Sequence, residues 1–518
     1  WWVLVAMTGS LSMILLDQTI VSVALPSIQR DLDLTQTEVQ WGVNAYLLAI
    51  AALGAVAGRL STMFDPVRMF RLGVVVLAVG SAATGLDDGE TAIIAARALQ
   101  GVGAALMIPP SGSLVLNAFP LDERGRAMGI YAGVSMVFLS LGPLIGGLLT
   151  EIDWRLVFWV NVPVAIVTIV LTVVARPESE IAGGHFDIAG ALTLVPGLIA
   201  LVLALQQGSD WGWSSPLTIG LLAAAAVLLV SFLLIEPRVR EPLVELRLFL
   251  GRNFAGNNTV LFLVQFALVG MTVFGAIFVQ DILGFSSIEA GLSMLAVTLP
   301  LLVLAPLAGG LYDKIGPRWL VSAGCAVGAA GLLWTAAVLD KDSYPWMVPG
   351  YIMIGSGLGL VMGPSNTDAM NAAAAEFRAQ AQGVIQTMRQ VGGTVGLAIM
   401  GVVVTQVQNS GLESSLGALG LPESAISQVE NVLSKGAGGE QQQALAQVPP
   451  AERAAIVGDV QSSVTDGISA ALYIGGAALA VGAVVAFLVL RHVRYAEDAE
   501  PAPSASESTS RSPAGTRT

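Results

Sequence analysis

Apolar residues run through this chain in about fourteen stretches long enough to cross a hydrocarbon core, which takes about 20 helical residues. The runs are 2–26, 39–60, 69–86, 91–116, 127–149, 157–175, 188–205, 217–235, 259–279, 291–311, 320–339, 346–368, 381–404 and 470–490. A backbone in lipid must satisfy its amides within its own segment, and the alternating pattern of a barrel strand is absent, so each run is predicted as a transmembrane helix. The first run carries an acid in its middle, lacks a basic leader and is too long for a signal-peptide core, so it too reads as a span.

The polar residues between the runs set the orientation. Loops on one side hold Arg59, Arg68, Arg71, Arg124, Arg126, Arg176, Arg238, Arg240, Arg247, Arg252, Lys314, Arg318 and Arg378, and the tail adds Arg491, Arg494, Arg511 and Arg517, whereas the other side holds Arg30, Arg155, Lys341, Lys435 and Arg453. Basic residues collect in the cytoplasm. Both termini are therefore predicted to be cytoplasmic, in a multi-pass protein of the cell membrane. Composition agrees: 54% of the 518 residues are hydrophobic and 12% charged, against roughly 25% charged in a soluble domain. The net charge of −13 argues against nucleic acid as a partner. The single Cys325, inside a span, excludes an intramolecular disulfide framework and a cysteine metal cluster.

A longer period emerges when the sequence is shifted by about 254 positions. Gly103, Pro110 and Ser111 fall on Gly357, Pro364 and Ser365, and Arg124, Gly129 and Gly142 fall on Arg378, Gly383 and Gly396. A slightly smaller shift lays the stretch from Gly58 to Phe70 on that from Gly309 to Val321. The expected architecture is an all-α polytopic membrane protein of two six-helix bundles, 1–175 and 258–490, with two helices inserted in 176–257 and a disordered cytoplasmic tail, 491–518. Two repeats that rock about a site at the midplane are a transporter design. The outer loop 406–466 has apolar positions at helical spacing, which predicts two short surface helices broken at Pro449 and Pro450.

Ionisable residues inside spans cost about 2.5 to 3.5 kcal/mol on insertion scales and mark function by default. Asp17, Arg97 and Arg389 qualify. Depth arithmetic at about 1.5 Å per residue brings Asp17 and Arg97 within reach of each other. A carboxylate whose surroundings alternate between wet and dry, or paired and unpaired, takes up and releases a proton. Both histidines, His185 and His492, fall outside the spans, which leaves Asp17 as the best proton carrier, with Arg97 as its partner. A buried ion pair that only fixes packing is the alternative. Asn44, Tyr46, Gln100, Gln265, Trp334 and Arg389 are candidates to line a substrate cavity, although helix packing and interfacial anchoring explain them nearly as well. Gly142, Pro143, Gly146 and Gly147 combine close packing with a proline bend. There is no P-loop, nucleophile triad or metal-ligand cluster, so neither an enzyme nor a nucleotide-driven pump is expected, and no cofactor.

These residues together resemble the major facilitator superfamily, in its fourteen-span drug:proton antiporter branch. The resemblance rests on Leu16-Asp-Gln-Thr with Ala24-Leu-Pro26, Arg97 with Gln100-Gly101, Gly142-Pro143 with Gly146-Gly147, Asn161-Val-Pro163 and Pro242-Leu-Val-Glu-Leu-Arg-Leu-Phe249. It implies proton coupling at Asp17 and Arg97, and an antiporter motif in the Gly-Pro run. It also implies gating by paired loops of pattern Gly-x-Leu-x-Asp-x-x-Gly-x-Arg. The second loop keeps that pattern through Gly309, Asp313, Gly316 and Arg318. The first keeps Gly58 but has Thr62 for the acid and Asp65 for the second glycine, followed by Pro66, Val67 and Arg68. Two readings of that erosion stand: Asp65 replaces the lost carboxylate, or the latch is weak because Pro66 disturbs the local geometry. The implied function is a proton-coupled exporter of amphipathic or lipophilic drugs, acting as a monomer in the lipid bilayer. A dedicated exporter of an endogenous antibiotic or lipid is the alternative, and a membrane sensor or scaffold a remote one. Span ten, 291–311, lacks the acid that some relatives exporting divalent organic cations carry.

Overall fold

The structure is a computed structural model, described over residues 1–34, 36–86, 89–179, 181, 183–418 and 453–493. Among these residues every regular element is helical. Fourteen long helices follow in order: α1 (Trp2–Asp31), α2 (Gln36–Met63), α3 (Pro66–Leu86), α4 (Glu90–Asn117), α5 (Arg124–Ile152), α6 (Asn161–Ala175), α7 (Ile188–Trp211), α8 (Pro216–Ile235), α9 (Arg252–Ile277), α10 (Leu295–Ile315), α11 (Pro317–Val338), α12 (Tyr344–Asn371), α13 (Arg378–Ala418) and α14 (Arg453–Val489). Short turns at Leu156–Trp159 and Ser287–Ser293 lead into α6 and α10.

Local sequence explains where these helices begin. Asp65 accepts from the Val67 amide at 2.9 Å ahead of Pro66, and Ser215 caps α8 ahead of Pro216. Proline suits the first helical position because its missing N–H has no intrahelical partner there. Pro66 and Pro317 open α3 and α11 in the same way, so Pro66 is a helix start shared by both loop copies and does not disturb the first. Two predicted features change. The apolar positions Ile456, Val460 and Val464 belong to the continuous α14, and α13 runs on to Ala418. Pro449, Pro450 and the tail from 494 lie outside the described residues.

α1 to α6 form one bundle and α9 to α14 the other, meeting along two pseudo-equivalent crossings, α5 on α10 and α2 on α13. Small residues permit these crossings, as helix association in lipid requires. A Cβ on Gly309 would overlap the Gly125 carbonyl, and one on Gly58 would lie 2.8 Å from the Ala379 carbonyl oxygen. The two contacts repeat with the period of the sequence. We call the side where α1 begins and α14 ends the terminal face; both crossings tighten toward it.

The inserted pair is asymmetric. α7 packs on α2 and α13, one helix from each bundle, whereas α8 packs mainly on α7 and turns Leu217, Val227 and Leu234 outward. The chain after α8 then forms a strap across the terminal face. Glu236 accepts from the Val244 amide at 2.6 Å, and Leu243 is fully buried. Gln380, at the start of α13, donates to the Leu243 carbonyl at 2.6 Å. Arg59, at the end of α2, donates to the His185 carbonyl at 2.9 Å and to Glu241 at 3.3 Å. The His185 amide, bonded to Glu241, and the nearby Arg59 guanidinium hold the Glu241 carboxyl below its usual range.

Because Arg59 is the buried tie between α2 and the strap, Arg59→Ala should raise amide exchange at residues 183–187 and 241–245 by about tenfold or more while leaving α3 and α4 unchanged. Hydrogen exchange with mass spectrometry measures this, and uniform acceleration across the bundle would instead indicate global destabilisation.

Candidate functional site

The deepest polar cluster lies within the first bundle. Asp17 on α1 is fully buried, and Arg97 on α4 donates to it through Nη1 at 2.7 Å. Asn161, the first residue of α6, donates to the other carboxylate oxygen at 2.7 Å and also to Ser81 Oγ on α3 at 2.8 Å. Gln100 accepts from Arg97 at 2.8 Å and donates to Ser81. Arg97 donates through Nε to the Gly42 carbonyl at 2.9 Å, and its guanidinium carbon lies 4.4 Å from the Tyr46 ring centre. Tyr46 in turn donates to the Ile14 carbonyl at 3.2 Å. Four helices and the start of a fifth element thus converge on one carboxylate.

Such a cluster is costly to disturb. Desolvation is repaid only by a well-placed partner, and removing one member of a buried pair typically costs about 3–5 kcal/mol. A proton on Asp17 cancels its charge and weakens its hold on Arg97, so protonation can change the packing of α1 against α4. The Arg97 Nη2 atom is buried with no protein partner. A narrow void of ≈ 10 Å³ beside Arg97 is bordered by Glu38 and Glu90, near the starts of α2 and α4. It lies on the side opposite the terminal face.

α1 is seated on the Gly-Pro run of α5. A Cβ on Gly142 would overlap Thr19 Oγ1, and one on Gly146 would lie 2.8 Å from the Ile20 carbonyl, so both positions need glycine for α1 to approach. Gly147 meets nothing within 4 Å. Thr19 bonds the Leu139 carbonyl at 2.9 Å, and α5 bends by 44° between Leu139 and Leu144. The segment contains Pro143, which lacks the donor that a straight helix would use there.

The other end of α5 carries the latch. Asp313, at the end of α10, accepts from the amides of Gly125 at 2.8 Å and Arg126 at 3.2 Å, the first turn of α5. A carboxylate at a helix N-terminus meets unsatisfied amides and the positive end of the dipole. Thr62, at the equivalent position in the first loop, bonds back to its own Gly58 carbonyl at 3.0 Å. Asp65 does not replace the missing acid. It caps α3, accepts from Ser179 at 2.7 Å and pairs with Arg68 at 3.6 Å, all within its own side of the molecule. Arg318 stacks on Phe487, with 4.4 Å from its guanidinium carbon to the ring centre, rather than crossing to the other bundle. Further bridges come from residues outside the motif: Arg124 to Asn371 at 3.3 Å and Arg378 to Asn117 at 2.5 Å. Asp368 is fully buried nearby, accepting from Asn253, Asn257 and Tyr312.

Between the bundles, beyond the latch, lie two adjoining chambers. The smaller, ≈ 100 Å³, is the more polar of the two, with Gln18, Tyr131, Gln382, Gln386 and Arg389 in its wall beside apolar residues such as Leu11 and Ile108. The larger, ≈ 300 Å³, is apolar and lies farther from the terminal face, walled by residues such as Met271, Met294, Val297 and Leu301. Gln265, Met136 and Met362 border both. Of the expected cavity residues, Gln265 and Arg389 line this space. Tyr46 and Gln100 belong to the Asp17 cluster. Asn44 is half-buried on α2 and lines neither chamber, and Trp334 is 42% exposed on the periphery, donating to the Trp346 carbonyl at 3.0 Å.

The Major Facilitator Superfamily profile matches residues 7–397. The chain belongs to the major facilitator superfamily. It is 33% identical to the tetracenomycin C resistance and export protein of Streptomyces glaucescens, covering 97% of this chain and 93% of that one. To the multidrug transporter protein MdtP of Bacillus subtilis it is 30% identical, over 90% of this chain and 89% of the relative. The proton:xylose symporter XylE shares its fold, with a TM-score of 0.61 at 12% identity, over 93% of this chain and 94% of that one.

In this superfamily member some site residues carry a signal that motif reading passes over. Gln382, Gln386 and Gln390 recur with Arg389 on one face of α13 at helical spacing, and Ser81 is a polar residue within an apolar run. The latch asymmetry yields a test. Charge-assisted hydrogen bonds contribute about 1.5–3 kcal/mol, so Asp313→Asn should lower the closed-to-open ratio at the terminal face by about tenfold. Thr62→Asp, facing the start of α13 across the pseudo-equivalent crossing, should raise it. Spin-label distances between the α2–α3 and α10–α11 loops report both, and an unchanged distribution in Thr62→Asp would mean that the strap already supplies that closure.

Proposed function

We propose that this protein is a proton-coupled antiporter that exports amphipathic or lipophilic small molecules by alternating access of its two six-helix bundles, 1–175 and 258–490. The observation that carries the reading is the fully buried Asp17 held by Arg97 and Asn161 within the first bundle, away from the chambers where cargo would sit. A proton and a cargo molecule then have separate sites, joined mechanically. The relatives named for antibiotic export and multidrug transport support the direction of transport. The excess of basic residues in the loops of the terminal face supports a cytoplasmic position for that face and for both termini.

In this mechanism the latched terminal face corresponds to a chamber directed outward. A proton reaches Asp17 past Glu38 and Glu90 and neutralises it, which frees Arg97 from its carboxylate partner. α1 then shifts on Gly142 and Gly146 of α5. Because the same α5 presents its first amides to Asp313, the shift loosens the latch and the chamber opens to the cytoplasm. Proton release there and cargo entry restore the ion pair. One copy of the chain contains both sites, consistent with function as a monomer.

A second reading is an exporter dedicated to one metabolite made by the producing cell, favoured by the relative named for resistance to and export of tetracenomycin C. Purified protein in vesicles with an imposed pH gradient separates the readings. Antiport of several unrelated lipophilic dyes is expected for the wild type, and Asp17→Asn should reduce gradient-driven flux by about a hundredfold or more while leaving dye binding within about twofold. Flux that survives in Asp17→Asn would remove Asp17 from coupling, and wild-type flux restricted to a single compound would favour the dedicated exporter.

A further inference from the structure

Arg389 is the second guanidinium inside the membrane, and its situation differs from that of Arg97. It lies 11 residues into α13, about 16 Å along the helix axis from its start. Arg97 has the carboxylate of Asp17 at 2.7 Å. Arg389 has, among the described residues, a single long hydrogen bond, to Gln265 Oε1 at 3.4 Å, and its Nε is buried without a partner. Among the described residues no Asp or Glu lines either chamber. The Asp17–Arg97 pair is neutral as a unit, so Arg389 is the uncompensated charge of the central space.

A buried cation without a counter-ion is unfavourable, and the usual remedy is an anion in contact with it. We infer that the chamber takes lipophilic anions: molecules with a carboxylate, sulfonate or acidic phenol that seats on Arg389, and an apolar body that fills the adjoining space. The inference rests on the transport reading above and names its cargo class. The geometry orders such a molecule. Its charged end belongs in the polar chamber, where Arg389 offers a planar, bidentate donor set. The amides of Gln18, Gln265, Gln382 and Gln386 surround that position and serve carbonyl or hydroxyl groups next to the anion. The body extends away from the terminal face, into the larger chamber walled by methionine and branched aliphatic side chains. Flexible methionines such as Met136, Met294 and Met362 accommodate bodies of different outline, so the headgroup charge, rather than shape, is the main selector. A lipophilic cation would place a second positive charge against Arg389 with no carboxylate to receive it.

Two fluorescent probes that differ only in the terminal charge test this: dansyl-6-aminohexanoate, an anion, and dansylcadaverine, a cation. Binding is measured with full-length protein in lipid nanodiscs against empty nanodiscs, without a pH gradient, and flux is measured separately in vesicles with one. Wild-type protein should bind the carboxylate probe at least about tenfold more tightly than the amine. Arg389→Gln should lose that preference by weakening the carboxylate probe about tenfold and leaving the amine within about twofold, and Arg389→Lys should retain most of it. Thermal unfolding of the variants shows whether they are folded, and Arg389→Lys keeps the test decisive if Arg389→Gln is not. Equal or tighter binding of the amine by wild type, or equal losses for both probes in Arg389→Gln, would overturn the inference. Selective anion binding with no gradient-driven flux would leave the cargo class standing and sink the antiporter reading. Flux of the amine alone would do the reverse.

Discussion

The structure depends on one closed electrostatic contact, the Asp17–Arg97 pair in an interior with no bulk water. Its partners arrive from α1, α3, α4 and α6 together with a backbone carbonyl of α2, so five of the six helices of the first bundle have a stake in a single negative charge. In a membrane the hydrophobic effect does little to hold one helix against another, since lipid tails are as apolar as leucine. A polar cluster therefore has unusual authority over how the bundle packs. In the mechanism proposed above, the same dependence is what would let one proton on Asp17 disturb the packing of the whole bundle.

α5 carries that state elsewhere. Its half farther from the terminal face holds α1 through Gly142 and Gly146, and its first turn offers amides to Asp313 of the opposite bundle. One continuous helix joins these two contacts, bent by 44° between Leu139 and Leu144. In the proposed mechanism the coupling route is short: carboxylate, glycine contact, helix, amide latch. The two chambers border the middle of the same helix at Tyr131, Met136 and Leu139, so in the proposed mechanism occupancy and protonation would both act on α5.

Most of this fold was legible in the sequence because membrane spans announce themselves by length and apolarity and the halves by their shared spacing. Asp17 and Arg97 stood out because charge inside a span is rare. What escaped reading involved contacts between segments far apart in the chain. Asn161 looked like part of a motif, with no indication that it reaches a residue 144 positions away. Arg389 was visible as a charge, but whether it had a carboxylate partner depended on which side chains the other bundle brings near. Pro66 was misread as a disturbance because the first loop was compared with a family pattern rather than with Pro317 in its own second copy. A substitute acid at Asp65 is one of the two readings the loop sequence allows, yet a carboxylate immediately before a helix satisfies that helix's own amides first. Asn44 and Trp334 are polar or aromatic residues in spans whose facing no single-sequence pattern settled.

The strap after α8 changes the character of the two closures. On the α5–α10 side the bundles are held by a carboxylate on amides. On the α2–α13 side, where Thr62 stands for the acid, Gln380 of α13 is held by a backbone carbonyl of the strap, and Arg59 of α2 is tied to the same segment. An ionic clasp weakens with salt and with protons; a hydrogen-bonded peptide segment tethered at both ends responds chiefly to the position of the helices it joins. The inserted helices are therefore more than passengers in the bilayer. They carry a strap that ties α2 and α13 through hydrogen bonds, so the two crossings are held by chemically different contacts.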